Sequence, residues 1–191
     1  MLKKSSLLLI LMAFNLNVFA NELLDNQIAA SRKVAFDFTQ GLGKVLKSQL
    51  ESSGAEGAVS VCQQVAPAMA KDASNDQRLV TRVSLKNRNP TIGVPDSWEA
   101  KKLGEFDRLQ QQGKLANEME VAEVTEISGK QWLRYMKAIP TQAMCLQCHG
   151  NSDEIKPSVK ALLKELYPND QATGYAVGQV RGAVSIKTMI D

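Results

Sequence analysis

Histidine is almost missing from this chain: one residue, His149, in 191. Any site that needs two histidines from one polypeptide is therefore excluded. Cysteine is scarce too, and the three present (Cys62, Cys145, Cys148) are an odd number, so they cannot all be paired in disulfides. Neither sign of charge is in excess. The formal net charge is +3, which argues against nucleic acid or a strongly charged surface as partner. Beyond the first twenty residues no apolar run is long enough to span a bilayer, so no membrane span is expected in the mature chain. There is no internal repeat and no low-complexity tract. What is there, 44% hydrophobic residues over this length, suits one globular domain with its own core.

The first twenty residues read as an export signal. Met1-Leu2-Lys3-Lys4 is a short positive start, Leu7 to Phe14 an apolar centre, and Val18-Phe19-Ala20 a small-x-Ala cleavage site. No cysteine follows the cut, so no lipid anchor is expected. The expectation is a periplasmic protein with one domain over residues 21–191. Cleavage removes Lys3 and Lys4 and leaves 21 basic residues against 20 acidic, a balance of +1.

Apolar residues at Leu24, Ile28, Ala35, Phe38, Leu42 and Val45 predict a long amphipathic helix from about 22 to 49. Such a helix packs on its own domain or pairs with a second copy, so a homodimer through it is one expectation. Ser52-Ser53-Gly54 should break it. A second helical stretch, Ala58 to Met69, carries Cys62 on its apolar face, and Pro67 should kink it. Arg78 to Lys86 alternates and is rich in β-branched residues, which predicts a strand. Pro95-Asp96-Ser97-Trp98-Glu99 opens a helix capped by Asp96 or Ser97 that ends at Gly113. Residues 121–127 and 130–139 should form a hairpin across Ser128-Gly129. A short helix, Pro157 to Leu166, and a strand, Val180 to Ile190, close the chain. This order predicts an α+β fold with an antiparallel sheet and the helices gathered on one face.

Cys145-Leu146-Gln147-Cys148-His149 is the attachment pattern for c-type haem. Two thiols at this spacing add to the two vinyl groups of one haem, and the adjacent histidine ligates the iron from below. The only histidine in the chain falls in the motif. With no second histidine, bis-histidine ligation is excluded. Cys62 and Met69, about two helical turns apart, remain the candidates for the other axial position. A thiolate on ferric iron would keep the odd cysteine out of disulfides, whereas a plain buried core residue is the alternative for Cys62. A Cys₃His zinc site from Cys62, Cys145, Cys148 and His149 is disfavoured, because the last two are adjacent.

Several stretches together resemble the Tll-type family of exported, PAS-like proteins that carry a single c-type haem. They are Ala58-Val-Ser-Val-Cys62-Gln-Gln-Val-Ala-Pro67, Arg82-Val-Ser-Leu-Lys-Asn-Arg88-Asn-Pro90, Pro95-Asp-Ser-Trp-Glu99, Cys145 to Gly150, Gly174-Tyr175 and Arg181 to Ile186. The spacer Thr91 to Val94 departs from the family pattern. The resemblance implies a PAS-like antiparallel sheet flanked by helices, and an iron held by His149 and Cys62. Arg82, Lys86 and Arg88 suit haem propionates, because guanidinium forks match carboxylates. Trp98 reads as core.

The function expected is a redox- or gas-responsive haem sensor. Thiolate ligation favours ferric iron, and loss of Cys62 on reduction or protonation would open a site for a diatomic gas. A small electron-transfer cytochrome with a redox partner protein is the alternative. An enzyme such as a peroxidase is disfavoured, since no spare histidine exists for proton transfer.

Overall fold

A computed structural model describes residues 5–190, with side chains described from Asn21 onward. Residues 1–20, where an export signal is expected, lie outside the residues whose side chains are described. Helix α1 (Ser5–Ser60) runs through Gly54, which has non-helical torsions (φ 67°, ψ −172°). The break expected there is therefore a kink between two helical lengths. Glycine tolerates this left-handed φ without a Cβ clash. A π-turn, Val61–Val65, follows and carries Cys62. Pro67 then sits in the first turn of α2 (Ala66–Asp72). The backbone stays right-handed helical through Ser60, Val65 and Ala66, so the disturbance expected at Pro67 takes the form of a π-turn just ahead of it within one helical path.

Four strands follow: β1 (Arg78–Val83), β2 (Glu120–Ile127), β3 (Lys130–Pro140) and β4 (Val180–Met189). They form one antiparallel sheet in the order β1-β4-β3-β2. The β2–β3 hairpin turns through Ser128 (φ 54°) and Gly129 (φ 77°), the paired positive φ that matches strand twist. Helix α3 (Ser97–Gln111) begins in a full capping box between Asp96 and Glu99. Helix α4 (Leu146–His149) is a single turn inside the cysteine motif, and α5 (Pro157–Leu166) follows. The α+β class and antiparallel sheet are as expected.

The helices do not share one face. Ala35 and Phe38 of α1 pack on Val80, Tyr135, Val184 and Ile186. Leu103 and Phe106 of α3 pack on Val83, Met136, Ala138 and Ala183 from the opposite side. The reason is in β4, where Ala183, Val184, Ser185 and Ile186 are buried in succession. A strand apolar on both faces needs cover on both. The α1 stripe also drifts. Val45 is exposed, and Leu50 takes over against a third cluster formed by Ala55, Val59, Ile155, Val159, Leu163 and Tyr167. Cys148 packs on that cluster, which is how the end of α1 and α5 together seat the motif. Among the described residues no helix is long and apolar enough to cross a membrane.

Candidate functional site

The motif leaves β3 through a 3-10 turn, Ala143–Cys145, and continues directly as α4. Cys145 and Cys148 are three residues apart on this helical path, so their thiols lie on one face. All three cysteines are free thiols, neither fully buried nor fully exposed. Burial pushes the thiol of Cys145 up; Cys62 adds to this, while the Gln142 N–H and Arg181 oppose it. Burial also raises Cys148, against the pull of Arg88 and with a smaller push from Cys62. Cys62 is thus close enough to the motif to act on both thiols. Yet among the described residues no three Cys, His, Asp or Glu side chains come together tightly enough to hold a bare ion. The four residues weighed for zinc form no such cluster.

His149 is held by its neighbours. Its Nδ1 lies 2.6 Å from the carbonyl oxygen of Ala172. Burial first, then the charges of Arg181 and Arg88, hold the imidazole well below its ordinary pKa, so the ring is neutral. A carbonyl can only accept, so the ring proton is on Nδ1 and the Nε2 lone pair is free. The main chain of the motif is tied down as well. The N–H of Gly174 donates to the Gly150 carbonyl (2.8 Å) and that of Tyr175 to the His149 carbonyl (3.0 Å). The Tyr175 ring meets His149 edge-on, with centroids 6.4 Å apart. Lys86 and Arg181 both lie over the Tyr175 ring, at 4.6 and 5.2 Å from its centroid.

The cations around the site divide into two kinds. Arg88 is committed: it pairs with Asp170 at 2.9 Å and donates to the Cys148 carbonyl at 2.5 Å. The Arg82 side chain makes no hydrogen bond or ion pair among the described residues, and its charge reaches both His149 and Arg181. Arg181 donates to Ser84 Oγ and the Lys86 carbonyl, but its buried Nε has no partner. Sequence reasoning missed Arg181 as a site residue, although an arginine ahead of the apolar run Ala183-Val184 in a predicted strand was the signal for it. Lys86 donates to the Thr173 carbonyl. A neighbouring cleft of about 530 Å³ shares Tyr175, Lys86 and Arg181 but contains none of the cysteines.

Met69 lies elsewhere. It packs into the α1–sheet cluster with its methyl against Gly41. Trp98 is core on the α3 side, with its Nε1 donating to Glu123 and Arg134 4.3 Å above its ring.

These residues fit a haem. Two thiols share a helical face, a neutral imidazole offers a free Nε2, and a third thiol lies near but apart. Uncompensated Arg82 and the orphaned Arg181 Nε supply donors for carboxylates.

A family model described as Tll0287-like matches residues 20–188. The chain is similar in fold to the crystal structure of the cyanobacterial heme-protein Tll0287, with a TM-score of 0.62 over 89% of this chain and 96% of that one, at 24% identity. No curated protein matches the chain.

Proposed function

The chain belongs to the Tll0287-like family, and from that premise and the geometry at His149 we propose that it binds one haem covalently and works as a redox- or gas-responsive sensor. The observation that carries this reading is the bond from His149 Nδ1 to Ala172, which leaves Nε2 as the only free ring donor. Cys145 and Cys148 would hold the haem through thioethers, each S–H adding across one vinyl double bond with the proton passing to the other carbon. His149 Nε2 and Cys62 would hold its iron, and Arg82 and Arg181 would meet its carboxylates. When bound, the haem supplies a one-electron centre that also takes small diatomic gases.

What favours sensing is the backbone under Cys62. The residue sits in a π-turn, with the Gly54 kink before it and α2 continuing from it. π-turns recur at functional sites and are less regular than the helices around them. Withdrawal of Cys62 with this turn gives two states that a redox change or a gas can bias. The positive start, apolar centre and small-x-Ala site of residues 1–20 support a periplasmic location, the compartment in which the motif thiols would meet the maturation machinery for c-type haem.

The test is a spectroscopic redox titration of holoprotein matured in a host competent for cytochrome assembly. A low potential with a change of ligand set on reduction is expected. One ligand set in both oxidation states would favour a small electron-transfer cytochrome instead.

A further inference from the structure

Residues 170–173 belong to no helix or strand, yet they supply the carbonyl that holds His149. Something other than a ladder must fix its direction. Asp170 does so from one side: its Oδ1 accepts from the Ala172 N–H at 2.7 Å. Its Oδ2 takes the Nε of Arg88 at 3.0 Å. Arg88 in turn donates to the Cys148 carbonyl at 2.5 Å and reaches the Ala172 carbonyl at 3.5 Å. The result is a closed circuit. The residue before His149 is tied through Arg88 and Asp170 to the residue that accepts the His149 proton. Arg88 and Asp170 side chains are only 9% and 12% exposed. A buried ion pair is weak evidence for stability, because desolvation offsets its attraction. Its fixed donor geometry is better evidence for orientation, and only a planar guanidinium serves these acceptors together.

We propose that the Arg88–Asp170 pair is a positioning device that sets the donor strength of His149 through the Ala172 carbonyl. It is one step removed from the iron ligand, and the inference rests on reading His149 as that ligand. A firm acceptor on Nδ1 raises the basicity of the ring and favours the oxidised metal. Loosening either member of the pair weakens that acceptor.

The experiment compares midpoint potentials of Arg88→Met, Asp170→Asn and the charge-conserving Arg88→Lys, as holoproteins of equal haem content, with the Nδ1 proton followed by NMR. If the two residues acted by charge alone, loss of the cation would lower the potential and loss of the anion would raise it. Positioning predicts a rise in both, a rise in Arg88→Lys as well, and a shifted Nδ1 proton in all three. Opposite shifts for Arg88→Met and Asp170→Asn, or unchanged potentials with an unmoved Nδ1 signal, would overturn the proposal. Arg88→Lys keeps charge and bulk, so it decides the matter if the other two fold poorly. Wild-type protein that takes up no haem would instead overturn the ligand reading itself.

Discussion

His149 donates its one ring proton to the carbonyl of Ala172, 23 residues further along the chain, at 2.6 Å. That bond makes the only histidine of the protein a fixed, neutral donor. It also ties the motif helix to the loop ahead of β4. Cys62, on the π-turn after α1, acts electrostatically on both motif thiols.

Replacing Cys62 by serine should leave the covalent haem at its wild-type amount and change the ferric absorption spectrum, because the thiolate donor is lost. Met69→Leu should leave that spectrum unaltered, since Met69 packs against Gly41 within the helix–sheet cluster. Optical spectra of the two variants side by side check this. An unchanged spectrum in Cys62→Ser would remove Cys62 from the iron.

Arg134→Met should destabilise the fold by about 3–5 kcal/mol. Arg134 is buried and pairs with Asp96 at 2.7 Å and with the equally buried Glu99 at 3.3 Å. Methionine fills the space but strands the Glu99 carboxylate. Adding Glu99→Gln should recover part of the loss. Urea unfolding of the single and double variants measures both. A loss below about 1 kcal/mol, the range of an exposed ion pair, would show that this network carries little.

Stability should decline below pH 6.5, where the unfolded chain protonates His149 and the fold keeps it neutral, and fall further as the pH drops from about 4.5 toward 2. The Arg32 guanidinium beside Glu120 holds that carboxyl at about 2, against the cost of burial and helped by the Tyr135 hydroxyl. Burial works against ionisation of Asp96, yet the Glu99 N–H, Arg134 and Lys187 hold it at about 2 as well. Both carboxyls are depressed on folding, so their contribution is present above the unfolded value and lost through the folded one. Thermal unfolding across pH 2–6 reads the slope directly. It should be shallower in Glu120→Gln, where the tie from Arg32 of α1 to β2 no longer titrates.

Much of this was legible in the chain because it follows from local rules. Asp96 and Glu99 spell a capping box, and Ser128-Gly129 spells a hairpin turn. Pro67 signalled a disturbed helix, but spacing alone did not specify that the disturbance would be a π-turn ahead of the proline. The placement of helices on both faces depended on β4 being buried in succession from Ala183 to Ile186, and the polar Ser185 in that run hid it in the sequence. The roles of Arg88, Asp170 and Arg181 were not legible as such. They depend on contacts across 60 to 97 positions of sequence, such as Arg88 to Cys148 and Ser84 to Arg181. No local spacing encodes those distances.

The account stands or falls on the thiols of α4 and the turn before it. Protein matured in a host that assembles c-type cytochromes should show, by intact mass after denaturation, the processed chain plus one haem. That added mass should disappear when Cys145 and Cys148 are both replaced by alanine. A wild-type mass equal to the bare processed polypeptide would contradict the central claim.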